Sequence, residues 1–230
     1  SSLSLEDMLD ADGMINPDIV PETGWSEELS IRYAMPKGSW VKLTVFNMNI
    51  RNTVLTRRIN DVLFEKVNGG SSIHQGAELE YRWVSPAEKI TLEGSYTYGH
   101  YRFDEFVEGG SDYSGNRLPG TPLHHLYDKL TIMPWRKWKI YLDYHLVSDV
   151  LLNDANTVSG AGYQLFNAGL SYLMIDTEKW SGSVSANVHN IFDVEYSPMF
   201  QINATGAQPR YYYPGKPRSI YLNVAFTHKI

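Results

Sequence analysis

Three groups of side chains in this sequence are of types that could do chemistry. Imidazole binds metals and moves protons near neutral pH, so the histidines come first. His124 and His125 are adjacent, while His74, His100, His145 and His189 are scattered. That spacing is not a metal motif, because adjacent residues on a strand point to opposite faces. The second group joins arginine to tyrosine: Arg57 and Arg58 in one segment, and Arg210 followed by Tyr211, Tyr212 and Tyr213 in another. A guanidinium offers a rigid fork of donors to carboxylate, catecholate or phosphate oxygens, and a phenol both stacks and donates. These residues are the candidate ligand contacts, set against the plainer reading of solvated loop charge and interfacial aromatics. Acid pairs such as Glu27-Glu28 form the third group; they lack a supporting constellation and read as surface charge. No glycine-rich phosphate loop opens a helix, and no serine sits on a nucleophile elbow. Cysteine is absent, which removes thiolate sites and disulfide frameworks. Catalysis, a resident metal and a cofactor are therefore not expected.

The elements that must carry these residues are strands. Period-two alternation marks several segments. In 138–146, Trp138, Ile140, Leu142, Tyr144 and Leu146 share one face, while Lys139, Tyr141, Asp143 and His145 share the other. In 73–84, Ala77, Leu79, Tyr81 and Trp83 oppose His74, Gly76, Glu78, Glu80 and Arg82. Segments 180–189 and 221–230 repeat the pattern. Nine strands are predicted, near 26–35, 39–50, 73–84, 88–104, 121–133, 138–150, 161–174, 180–190 and 218–229. Two of them alternate imperfectly. In 39–50 the apolar phase shifts from Val41, Leu43 and Val45 to Phe46, Met48 and Ile50, which suggests a bulge or a register error; 121–133 also alternates poorly.

Alternation suits a soluble sandwich and a membrane barrel alike; the connections separate them. Short links at 36–38, 85–87, 134–137 and 176–179 alternate with long ones at 51–72, 105–120, 151–160 and 191–217. Outer-membrane barrels have short periplasmic turns and long extracellular loops. Trp40, Trp83, Trp135, Trp138 and Trp180 all lie near the short links, as an aromatic girdle at the periplasmic interface requires. On this reading His145 and His189 line the lumen as ordinary polar residues.

Bulk properties agree. Tyrosine reaches 16 and tryptophan 6, while charged residues are 20% of the sequence. No apolar run is long enough for a helical span. The net charge of −6 argues against nucleic acid as a partner, there being no basic stripe to displace phosphate counterions. Nine strands is an odd number, whereas bacterial single-chain barrels have an even count. The expectation is therefore an all-β transmembrane antiparallel β-barrel portion, with 1–25 as an extracellular loop segment and 26–230 as barrel wall. No signal peptide opens the sequence at 1–6, and residue 1 is expected not to be the start of the gene product.

Six sequence fragments, in order, resemble elements of TonB-dependent outer-membrane receptors. They are Asn16-Pro17 with Pro21-Glu22, Gly76-Ala77-Glu78, Gly94-Ser95-Tyr96-Thr97-Tyr98, Leu118-Pro119-Gly120-Thr121-Pro122-Leu123-His124, Val188-His189-Asn190-Ile191-Phe192-Asp193 reaching Tyr196, and Pro214-Gly215-Lys216-Pro217. Their residues also have structural uses: prolines stiffen a loop, glycines permit close approach, and Asn190 and Asp193 suit a turn. Asn16, Pro17, Pro21, Glu22, Gly76, Glu78, Pro119, Pro122, Asn190, Phe192 and Tyr196 are assigned to holding the barrel, with Glu78, Glu80 and Arg82 as a lumenal network against a plug.

The resemblance implies the C-terminal part of a barrel of about 22 strands with a plugged lumen. It further implies location in the bacterial outer membrane, contact with the lipid bilayer and a nutrient ligand on the extracellular face. The remaining N-terminal barrel and plug would come from the same gene product or a companion chain, with TonB acting through the plug. Energised uptake of a ferric siderophore or similar iron complex is the leading expectation; haem, cobalamin and oligosaccharides remain open. A passive porin or a structural or adhesive barrel is a second reading, and a soluble carbohydrate-binding β-sandwich a third.

Overall fold

The computed structural model describes residues 16, 19–58, 64–204 and 211–228. β-Branched and aromatic residues at alternating positions favour the pleated backbone, and nine long strands result. These are β1 (Thr23–Ala34), β2 (Trp40–Arg51), β3 (Ser71–Val84), β4 (Ile90–Glu105), β5 (His124–Ile132), β6 (Trp138–Val147), β7 (Tyr163–Asp176), β8 (Trp180–His189) and β9 (Ser219–His228). Each pairs antiparallel with its sequence neighbours in one nine-stranded sheet, so the chain is a plain up-and-down meander with β1 and β9 at its edges.

The predicted rhythm of connections is present. Between β1 and β2 the chain turns through Pro36–Gly38, where Lys37 (φ 62°) and Gly38 (φ 72°) are both left-handed. The four long loops each contain a small two-stranded ribbon: 54–58 with 64–68, 107–108 with 111–112, 150–151 with 159–160, and 199–200 with 212–213.

Register assigns every side chain to a face. One face carries Leu29, Ile31, Leu43, Val45, Leu142, Leu170, Leu222, Val224 and Phe226, all exposed. A sandwich would cover such a face with a second sheet; among the described residues none does, and the small ribbons belong to the loops. Apolar side chains left open across a whole sheet face suit contact with lipid. Toward the long-loop ends of β2–β4 this face turns polar, through Asn47, Asn49, Gln75, His100 and Arg102. The other face is polar nearly throughout and lines the lumen. It holds the Lys42–Glu80 pair at 3.3 Å and the Arg82–Glu93 pair.

Two sequence expectations need correction. No bulge interrupts β2, which keeps continuous register with β1 and β3 from end to end. Its apolar phase shifts because Phe46 lies on the lumenal face, over Gly76, with its ring 6.4 Å from that of Tyr101. Register shifts occur instead at 71–72 and 173–175. Trp40 does not join the girdle either: it is paired with Arg82 on the lumenal side, and the Arg32 guanidinium lies 4.5 Å above its ring. Trp83, Trp138 and Trp180 are outward and Trp135 is exposed in a turn, as expected. The poor alternation of 121–133 also has a cause. Residues 121–123 precede the strand, and Asp128 stands among Leu126, Leu130 and Ile132 on the apolar face.

Candidate ligand site on the lumenal wall

Strands β7–β9 present Leu165, Asn167, Asn187, His189, Tyr221 and Asn223 on the lumenal face, all at odd-numbered positions. Together with Asn190, Tyr196 and Lys216 they line a cavity of about 440 Å³ just beneath the loops. Leu165 is buried, while His189 and Tyr221 are exposed and meet edge to face at 5.3 Å. A second cavity of about 620 Å³ lies in the last long loop, among Asp193, Glu195, Tyr196, Phe200, Tyr212 and Pro214. Tyr196 belongs to both. Its ring lies tilted against that of Tyr163 at 4.8 Å and takes Gly215 against its own carbons, a place where a Cβ would overlap the phenol.

Asn190 makes this arrangement possible. It adopts a left-handed backbone (φ 51°), which asparagine tolerates better than branched residues. Its buried side chain accepts from Val194 N at 2.9 Å and donates to Val194 O at 2.9 Å and Lys216 O at 3.2 Å. Its own amide donates to Asn167 Oδ1 at 2.9 Å. Asp193 then accepts from Arg218 N at 2.7 Å, closing the loop onto β9. One asparagine thus joins β7, the loop and the approach to β9.

The other motif residues are placed as scaffold. Glu22 accepts from Val54 N at 2.8 Å, tying the start of β1 to the first long loop. Pro119 precedes Gly120 (φ +77°) in a turn where Thr121 Oγ1 donates to Leu118 O at 2.7 Å, and half-buried Pro122 leads on into β5. Glu78 is half-buried on the lumenal face between Thr44 and Thr97. Phe192 is exposed on the outer side, edge-on to Phe166 at 5.4 Å. Asn16 is half-buried and Pro21 exposed; Pro17 lies outside the described residues.

The predicted ligand contacts scatter. Arg57 and Arg58 pair with residues 65 and 64 in the first loop ribbon, but their side chains lie outside the described residues, as does all of Arg210. Tyr211 is turned inward, its hydroxyl donating to Ala204 O at 3.2 Å. Tyr212 is exposed and lines the loop cavity, while exposed Tyr213 pairs with Met199. Sequence reasoning missed Asn167, Asn187, Lys216, Tyr221 and Asn223 as a group. The available signal was that odd positions of three successive strands near their loop ends are amides, aromatics or histidine.

An all-antiparallel sheet with an apolar outer face, a polar inner face and loops of two lengths defines the wall of an outer-membrane β-barrel. The chain belongs to the TonB dependent receptor-like, beta-barrel family, whose model matches residues 6–191. It is 22% identical over 196 residues to the iron-regulated outer membrane virulence protein of Vibrio cholerae serotype O1, covering 78% of this chain and 28% of that protein. Among solved structures, the siderophore receptor PiuA from Acinetobacter baumannii superposes with a TM-score of 0.74 at 19% identity, covering 96% of this chain and 31% of that one. The ferric yersiniabactin uptake receptor FyuA from Yersinia pestis gives 0.69 at 19% identity, covering 91% and 30%. The chain spans less than a third of each of these relatives, and the family places it in the outer membrane.

Proposed function

We propose that this chain forms part of the wall of a transporter that imports a ferric siderophore or similar iron complex, energised through TonB. The observation that carries this reading is the lumenal cavity of β7–β9, lined just below the loops by Lys216, amide side chains and tyrosines. An anionic, ring-bearing chelate is matched by a cation, hydrogen-bond donors and stacking surfaces. The iron-linked names of the relatives support it. Arg57, Arg58, Arg210 and Tyr211–Tyr213 are proposed as outer contacts that meet the ligand first.

The proposal extends to partners. Edge strands β1 and β9 leave one side of each ladder unpaired within this sheet, and an open edge is not tolerated in hydrocarbon. Further barrel strands, with a plug that engages TonB, complete the wall from elsewhere in the protein or from a companion chain.

Uptake of radiolabelled ferric siderophores into iron-starved cells tests the reading. Cells lacking the gene should lose uptake, and the wild-type gene should restore it only when TonB is intact. Lys216→Ala with Tyr221→Ala should lower uptake while surface abundance stays level. Uptake that persists without TonB would sink the energised reading in favour of a passive porin.

A further inference from the structure

The histidines that adjoin in sequence do not meet: His124 faces outward against Tyr96, while His125 faces the lumen. There His125 meets His145 of the next strand, Nε2 to Nε2, at 2.6 Å. The two are set diagonally, since β5–β6 register pairs His145 with Tyr127 and His125 with Val147. His145 is held on two sides, edge-on to Tyr127 at 6.4 Å and to Tyr163 at 5.8 Å. Tyr127 is anchored in turn by donating to Asp143 Oδ1 at 3.2 Å. The pair is half-buried to exposed on the lumenal face, open to an incoming solute.

We infer that His125 and His145 are a chelating pair for a Cu(II) ion on the lumenal wall. With two imidazole nitrogens facing each other, the neutral pair shares one proton between two lone pairs. When that proton moves to Nδ1 of its own ring, both Nε2 lone pairs are free and a metal ion binds the two neutral imidazoles. Imidazole nitrogens bound at about 2.0–2.1 Å in neighbouring positions of a square plane lie about 2.9 Å apart. Opening the observed 2.6 Å by a few tenths of an ångström reaches that geometry. Imidazole suits copper, nickel and zinc, and copper(II) heads the divalent affinity order. Two ligands leave the remaining positions to water or to a partly chelated metal. A ferric ion wrapped in six oxygens offers the pair no vacancy, so this site stands apart from the iron-complex reading and neither rests on the other.

The test uses the whole outer-membrane protein, purified in detergent and titrated with Cu(II) alone by calorimetry and electron paramagnetic resonance. The expected result is one Cu(II) per molecule with nitrogen superhyperfine structure from two imidazoles. His125→Ala or His145→Ala should each weaken binding by more than about tenfold, the range known for loss of supporting groups around a metal. His100→Ala, on the outer face, should leave it unchanged. A second measurement needs no variant: Cu(II) should protect His125 and His145 from carbethoxylation, read by mass spectrometry on the unaltered protein. No binding, an all-oxygen spectrum, equal binding by His125→Ala or His145→Ala, or unprotected His125 and His145 would each overturn the assignment.

Discussion

On the lipid-facing side, the hydroxyl of Tyr81 on β3 reaches over Gly94 on β4 and donates to the carboxylate of Asp128 on β5. The three residues are in direct register across the strands, and a Cβ on Gly94 would stand 2.6 Å from the Tyr81 hydroxyl. A charged side chain on this face is destabilising at bilayer depth. Here the tyrosine covers it, and the glycine leaves the room to do so.

Removing one partner should cost more than removing both. Tyr81→Phe leaves a carboxylate against lipid without its donor, a loss of about 1–3 kcal/mol. Tyr81→Phe combined with Asp128→Leu should regain most of it, because both polar groups then disappear. Thermal unfolding followed by heat-modified gel migration provides the comparison. A double variant no more stable than Tyr81→Phe would refute the shielding account.

The lumenal face repeats the device with a neutral acceptor. Tyr141 on β6 crosses Gly169 on β7 and donates to Asn187 Oδ1 on β8 at 2.7 Å. Gly169→Ala should destabilise the wall by about 1–3 kcal/mol through overpacking, since its Cβ would overlap the Tyr141 ring. Adding Tyr141→Ala should recover part of that loss, because the obstruction is side chain rather than backbone. Thermal midpoints of the two variants decide it.

At the short-turn end, Lys37 and Glu88 join adjacent turns by an ion pair of 2.7 Å. The hydrogen bond and charge of Glu88 hold the Lys37 amine above its ordinary range, and those of Lys37 hold the Glu88 carboxyl below its own. A depressed carboxyl gives stability that is present above the unfolded value and lost as pH falls through the folded one. A raised amine gives stability that is present below its unfolded value and lost as pH rises. Glu88→Gln should therefore lower the unfolding midpoint slightly between those limits and leave it unchanged in strong acid. High salt should shrink the difference, both groups being exposed.

Among the described residues, the last three long loops are cross-linked. Asn116 Nδ2 donates to Asp154 O at 2.8 Å, and Asn203 Nδ2 donates to Asp154 Oδ2 at 2.7 Å. Arg117 N donates to Asn156 Oδ1 at 2.8 Å, with Asn156 Nδ2 returning to Arg117 O at 2.9 Å. Burial pushes the Asp154 carboxyl above the usual range, opposed by its bond from Asn203. Asn156→Ala should raise proteolytic nicking in 106–123 and 190–218 as well as in its own loop, while the strands stay resistant. Cleavage confined to 148–162 would show the loops to be independent.

The meander was legible because β order follows sequence order and each strand is long enough to show two faces. Where legibility failed, an apolar or charged residue sat on the opposite face for a cross-strand reason. Phe46 fills the space over Gly76, and Asp128 is covered by Tyr81. Neither partner is a sequence neighbour, so periodicity cannot show them. The same holds for function. Tyr196 and Tyr212 stand out as tyrosines, but Asn167, Lys216 and Asn223 become a site only when three strands and a loop meet. Adjacency set His125 on the opposite face from His124, but its meeting with His145, diagonal to the register, shows only in the sheet.

The bonds through Asn116, Asp154, Asn156 and Asn203 have a consequence for anything that arrives from outside. What the sequence divides into separate loops is, over the last three, one mechanical body carried on β4 to β9. On the proposed import reading, selection at this rim depends on how that body sits as a whole, and substitutions in its different loops should combine non-additively. A change that loosens one joint alters the mouth everywhere along it.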